Sequence, residues 1–278
     1  MKMFLALATS TALAVPAVAT GTDALGLLML QDGAAETSNA VPAAAAAPSN
    51  LYFKADVGLN LLQDVKMRDT LLNAAPRIGF RPGIDANFGL GINLKKTNKG
   101  THIERFSMEF TAGFIWNEID GVTSNTEEFD PLGPFFPFGF YSYGGGEGRM
   151  LQVPLNVDLI WTAYETKRLS VALNAGIGVQ WTDLDLKDAD FTTYNLAGNP
   201  TGVTQFSAKG NAIGFHYQGG IDVLFALTSS IELGGYFRYG GTPASSMGKI
   251  TGTSVPFGEL KIGDINNFSV GARMTVSF

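Results

Sequence analysis

Phe268-Ser269-Val270-Gly271-Ala272-Arg273-Met274-Thr275-Val276-Ser277-Phe278 decides how the rest of the sequence is read. Phe268, Val270, Ala272, Met274, Val276 and Phe278 recur at every second position, with Ser269, Gly271, Arg273, Thr275 and Ser277 between them. Successive side chains leave a strand on opposite faces, so strict alternation over this length predicts a β-strand with one unbroken apolar face. That face meets either a protein core or lipid.

Composition narrows the choice. Charged residues make up 16% of the sequence, against about 25% in soluble domains. Beyond the N-terminus no stretch is long and apolar enough for a transmembrane helix. Only helices and closed barrels satisfy every backbone group in lipid, so low charge without such a helix points to a barrel. There is no cysteine, hence neither disulfide nor thiol chemistry. A formal net charge of −6 argues against nucleic acid as a partner.

The N-terminus starts Met1-Lys2-Met3, runs through apolar residues 4–15 and reaches Pro16-Ala17-Val18-Ala19. A basic start, a short apolar core and a small-x-small exit predict a secretory signal over residues 1–19. A buried N-terminal helix is the alternative. Residues 20–50 are rich in alanine, threonine and proline and are expected to be a disordered periplasmic linker. Residues 51–278 then form the barrel domain.

Alternation recurs over residues 51–61, 80–94, 106–117, 151–161, 169–182, 213–227, 231–239 and 268–278, which predicts eight strands. The connections after the second, fourth and sixth are short. Those spanning about 120–147, 183–210 and 241–264 read as long loops. An even strand count with short turns at one end and long loops at the other is the layout of an all-β, antiparallel, up-and-down transmembrane barrel of the bacterial outer membrane, with both termini periplasmic. Ten strands result if 249–255 and 259–263 form a further membrane hairpin; they are expected to rise above the membrane instead. A soluble barrel or sandwich is the remaining alternative.

Tryptophans and charges favour lipid. Trp116 and Trp181 fall at the long-loop end of the apolar face and Trp161 at the short-turn end, as an aromatic girdle requires. By parity Lys54, Asp56, Arg81, Asp85, Glu109, Asp158, Asp222, Glu232, Arg238 and Arg273 all share the glycine-rich face. A base facing lipid at the midplane costs about 2–4 kcal/mol, so that face is expected to point inward. An eight-stranded barrel is just wide enough for side chains to fill. Buried charges persist when paired, so these residues are expected to form a salt-bridge network that plugs the lumen.

The alternating terminal strand ending in Phe278 looks like the signal by which outer-membrane barrels are recognised by the assembly machinery. Gln152-Val153-Pro154-Leu155 resembles the matching strand of opacity-protein-like and OmpX-like "porin family" barrels. The resemblance covers residues 51–278, by pattern more than by motif. It implies a monomeric cell-envelope protein set in outer-membrane lipid including lipopolysaccharide, serving envelope integrity or adhesion, with any extracellular ligand bound through the long loops.

Catalysis finds little support. His102 falls in a short turn, and His216 faces the lumen near Gln218 and Asp222. Lipid A deacylases place histidine and serine on the lipid face, and omptin-type proteases set a histidine beside paired acids; neither pattern is matched. Asp183, Asp185, Asp188 and Asp190 lack the spacing of a calcium loop and read as a solvated acidic rim. No metal and no cofactor are expected. The segment 131–143 carries Phe135, Phe136, Phe138, Phe140, Tyr141 and Tyr143. Such a stretch either folds over the barrel mouth or forms a contact surface. The expected role is non-enzymatic; a small porin-like channel and a barrel enzyme acting on lipid A are the rivals.

Overall fold

The computed structural model describes residues 50–69, 76–123, 140–195, 197–252 and 259–278. The expected signal (1–19) and nearly all of the expected linker (20–50) lie outside these residues, as do Phe135, Phe136 and Phe138. The described residues form twelve strands: β1 (Leu51–Leu62), β2 (Val65–Asp69), β3 (Arg77–Phe80), β4 (Gly83–Asn98), β5 (Ile103–Thr123), β6 (Phe140–Glu165), β7 (Leu169–Tyr194), β8 (Pro200–Ala226), β9 (Ile231–Thr242), β10 (Ser245–Gly252), β11 (Glu259–Ile262) and β12 (Ile265–Ser277).

These strands build two stacked rings of eight. In the lower ring β1, β4, β5, β6, β7, β8, β9 and β12 pair antiparallel in that order, and β12 closes on β1, with Gly58 opposite Gly271. In the upper ring β2, β3, β5, β6, β7, β8, β10 and β11 close in the same way, with Leu260 of β11 opposite Asp69 of β2. The four longest strands run through both rings. The remainder are four pairs, β1/β2, β3/β4, β9/β10 and β11/β12, each continuing through a break of two residues. Closure gives each strand a neighbour on both sides around its ring; among the described residues, 140–147 of β6 and 200–205 of β8 rise past their outer neighbours and pair with β7 alone. The barrel is therefore eight-stranded; of the possible extra membrane hairpin (249–255, 259–263), residues 249–252 and 259–262 belong to the upper ring, and 253–255 lie outside the described residues.

Each ring shows its own solvent through its outer face. Along β5 the outward residues Phe106, Met108, Phe110, Ala112, Phe114 and Trp116 give way to Glu118 and Asp120. Along β7, Ile177, Val179 and Trp181 give way to Asp183 and Asp185. The inner face changes at the same height and in the opposite sense, from Asn174, Gln180 and Thr182 to the buried Leu184 and Leu186. From Phe106 to Trp116 is ten residue steps, which on strands tilted about 40° spans about 25 Å, the height of a lipid-facing band. The lower ring is built to cross a bilayer and the upper ring to stand in water. The chain is an outer-membrane-type transmembrane β-barrel.

The described residues of the long loops expected over 120–147, 183–210 and 241–264 are largely strand; 124–139, 196 and 253–258 lie outside the described residues. β6, β7 and β8 are 26, 26 and 27 residues long, where about 9–11 residues cross a bilayer. Beyond the membrane the apolar face turns inward, so the end of the outward apolar band is not the end of the strand. The upper ring encloses an apolar core of Val65, Met67, Ile78, Ile119, Val122, Tyr143, Met150, Leu184, Leu186, Ala189, Phe191, Phe206, Ala208, Met247, Leu260 and Ile262. One irregularity tunes this core. Asp188 has φ 51° and sits in a bulge between Leu186 and Ala189, which shifts the phase and turns Ala189 and Phe191 inward.

Candidate functional site

The lower ring is filled by ionic and amide side chains, each brought inward by its place on the inner face of a strand. Asp56 of β1 and Arg273 of β12 are direct cross-strand neighbours. Arg273 Nε donates to Asp56 Oδ1 at 2.8 Å and Nη2 to Asp56 Oδ2 at 2.9 Å, a two-point grip on the carboxylate. Arg238 Nη2 donates to the same carboxylate at 2.9 Å from β9. Arg273 also meets Asp222 of β8, which Asn174 Nδ2 approaches at 3.0 Å. Lys54 pairs with Glu109, whose other oxygen accepts from Tyr52 Oη at 2.8 Å.

Inside the ring, acids outnumber bases: Asp56, Asp85, Glu109, Asp158 and Asp222 face Lys54, Arg238 and Arg273, all buried. Asp85 and Asp158 make no ion pair among the described residues, and neutral donors hold them instead. Asn87 and Tyr236 donate to Asp85, while Thr111 and Gln218 donate to Asp158. The Tyr236 ring also lies 5.0 Å from the Arg238 guanidinium, a cation–π contact in a dry setting. Gly58 makes room for it: a Cβ there would sit 2.3 Å from the Val270 carbonyl oxygen and 2.7 Å from the Tyr236 hydroxyl.

Above the ionic layer lies an amide layer. Asn267 Nδ2 and Gln180 Nε2 donate to Gln152 Oε1 at 2.8 and 2.9 Å, and Asn60 Nδ2 donates to Ser269 at 3.0 Å. The apolar core of the upper ring follows directly. A cavity of about 30 Å³ remains beside Tyr52, Glu109 and Asp222, and one of about 10 Å³ beside Asp85, Pro154 and His216. The smaller is about the room of a single water molecule.

The other expected site residues fall as follows. Glu232 is half-buried on the inner face at the turn-end mouth, beside Arg105 and Glu165. Arg81 is not in the lumen. Its side chain is 62% exposed in the break between β3 and β4, with Nε donating to Asp120 Oδ1 at 2.8 Å. That bond raises the guanidinium pKa above its ordinary value. Pro82 interrupts the ladder here, so parity counted through it misplaces Arg81. Trp161 and Trp181 are exposed on the outer face and Trp116 is partly buried there; Trp161 stacks on Phe106 at 6.2 Å. Phe278 is exposed at the turn end, its backbone N–H donating to the Leu51 carbonyl.

The aromatic segment is corrected in one respect. Tyr143 is buried in the upper core, edge-on to Phe191 and Phe206 at 5.3 and 5.7 Å, so it is no surface contact. Tyr141 is half-buried against Phe191, and Phe140 is described by its backbone alone. The alternation Tyr141/Tyr143 was legible as a strand, with its apolar face turned in.

The histidines are held in structural contacts. His216 is buried with Nδ1 2.8 Å from Asn156 Oδ1, so that nitrogen carries the hydrogen. His102 stacks on Tyr164 at 5.4 Å. Among the described residues no three His, Asp or Glu side chains gather as a cation site.

The inward tyrosines and the amide layer went unrecognised as members of the plug, although their parity was visible. The apolar upper core was missed as well; its signal is the alternation Val65-Lys66-Met67-Arg68 and Leu260-Lys261-Ile262, where basic residues hold the outer positions.

No family model and no curated protein matches the chain. Among solved structures it is similar to the outer membrane protease OmpT from Escherichia coli, at 11% identity over 83% of this chain and 97% of that one, TM-score 0.45. It is similar to the outer membrane protein OprG from Pseudomonas aeruginosa, at 11% identity over 82% and 97%, TM-score 0.40. A third is Neisserial surface protein A, at 11% identity over 84% and 99%, TM-score 0.38. The barrel is identified by its own closed rings and outward apolar band, not by these likenesses.

Proposed function

We propose that this chain is a non-enzymatic bacterial outer-membrane protein, sealed along its axis, that braces the envelope and presents its upper ring outside the cell as a contact surface. In this reading both termini are periplasmic, Phe278 is available to the assembly machinery, and the monomeric barrel sits among lipopolysaccharide and phospholipid. Any extracellular ligand meets the upper ring.

The observation that carries the reading is the filled axis. An ionic layer, an amide layer and an apolar core succeed one another; the cavities beside the ionic and amide layers are about 30 and 10 Å³, and the larger space of about 650 Å³ lies at the turn-end mouth beside Arg105, Glu165 and Glu232. Ions crossing it would have to displace paired buried charges and then enter hydrocarbon. The same filling favours a non-enzymatic role, because buried His216, bonded to Asn156, cannot meet a substrate. Planar-bilayer recording of the purified protein is expected to show no steady conductance. Sizeable, steady single-channel steps would establish a porin-like channel instead.

A further inference from the structure

Beyond the ionic layer the lower ring opens at its turn end into a cup of about 650 Å³, a size usual for ligand clefts. Register sets its inner wall. Arg105 stands opposite Thr162, Glu165 opposite Ser170 and Glu232 opposite Thr275. Thr162, Ser170 and Thr275 are buried in the lumen, and directly opposite residues share a face of the sheet. Arg105, Glu165 and Glu232 therefore point into the cup. Its lip lies at the membrane interface: Lys95 stands opposite Phe106, which stacks on Trp161 of the turn-end girdle.

Charge in the cup is divided between two sides. On the side of β4, β5 and the β6–β7 turn lie Lys95, Lys96, Arg105 and Lys167, with one acid, Glu165. Lys96 Nζ and Arg105 Nε each lie 3.3 Å from a Glu165 oxygen, so a single carboxylate serves two bases. Lys95 and Lys167 are exposed and make no ion pair among the described residues. Four bases against one acid leave this side positive. On the far side of the ring, four strands from β5, β9 carries Glu232. Its side chain is half-buried and has neither a hydrogen bond nor an ion pair among the described residues. A partly desolvated carboxylate without a donor is costly. A cup positive on one side and negative on the other fits a ligand with an anion at one end and a cation at the other.

Height and chemistry together indicate the ligand class. The aromatic girdle marks the level at which lipid headgroups lie, and the cup opens at that level. Lysine offers phosphate a point charge, and a primary ammonium gives a carboxylate a charge-assisted hydrogen bond. We infer that the turn-end cup binds a phosphoethanolamine group, with its phosphate between Lys95 and Lys167 in the field of Lys96 and Arg105, and its ammonium on Glu232. The group can come from a zwitterionic phospholipid or from a soluble ester. Exposed Leu94 and Phe278 on the lip give acyl chains an apolar wall to follow, which favours the phospholipid. That the leaflet is the periplasmic one rests on the orientation proposed above; the chemistry of binding does not.

The test uses the full-length protein in lipid-free detergent, titrated with short-chain phosphatidylethanolamine, phosphatidylcholine and phosphatidylglycerol and with soluble glycerophosphoethanolamine. Detergent leaves both ends of the barrel accessible, so the result does not depend on which leaflet the cup faces. Phosphatidylethanolamine is expected to bind at least about ten-fold tighter than phosphatidylcholine, whose quaternary ammonium has no N–H to donate, and than phosphatidylglycerol, which has no cation. Glu232→Gln is expected to abolish that preference. Lys95→Gln combined with Lys167→Gln is expected to weaken all three phospholipids by about ten-fold and keep the preference. Both lysines are exposed, so this double variant tests the phosphate side even if Glu232→Gln disturbs the mouth. Equal affinity for the three phospholipids, an undiminished preference in Glu232→Gln, or unchanged affinities in the double variant overturns the inference. Glycerophosphoethanolamine binding as tightly as phosphatidylethanolamine overturns the phospholipid assignment in favour of a soluble zwitterion.

Discussion

At the scale of single residues, Arg273 holds the plug together. It grips Asp56 from two nitrogens and meets Asp222 across the lumen. Arg273→Met keeps the volume and removes the charge, leaving two buried carboxylates short of a partner. Breaking a buried ionic group in this way costs about 3–5 kcal/mol, so urea unfolding in phospholipid vesicles should show a loss of that order. Parity in the sequence was enough to bring these residues to one face. It could not say which carboxylate each base would take, because Arg238 and Asp222 reach Asp56 and Arg273 across the enclosed space. Arg81 shows how the rule fails: one proline break suspends the alternation on which the count depends.

At the scale of an element, β7 carries the change of solvent within one unbroken strand. Its outer face passes from Trp181 to Asp183 and its inner face from Thr182 to Leu184, with no turn between. Reading the apolar face as the strand therefore ended each strand at the membrane rim and turned the upper ring into loops. The phase shift at Asp188 then sends Phe191 into the core beside Tyr143. Phe191→Ala is expected to cost up to about 3–5 kcal/mol. Because only the upper ring loses packing, limited proteolysis should cleave that ring at lower temperature while the membrane band stays protected.

At the scale of the whole molecule, the two rings differ in what they tolerate outside. Val157 faces outward in the middle of the band and Asn211 faces outward on the upper ring. Val157→Arg is expected to cost about 2–4 kcal/mol, whereas Asn211→Arg, opposite Asp183, should stay within about 0.5 kcal/mol. Vesicle unfolding of the two variants separates a lipid-facing wall from a water-facing one, and equal costs would contradict the two-solvent architecture.

Alternation by itself determined the strands of the membrane band, their direction of exposure and the number that close the barrel, because a period of two is a local property of the backbone and lipid selects one face. Ring closure decided the rest. Which charges pair across the lumen, which of them face one another at the turn-end mouth, and that the chain continues as sheet above the membrane all depend on residues far apart in sequence being held side by side. No local pattern contains that information.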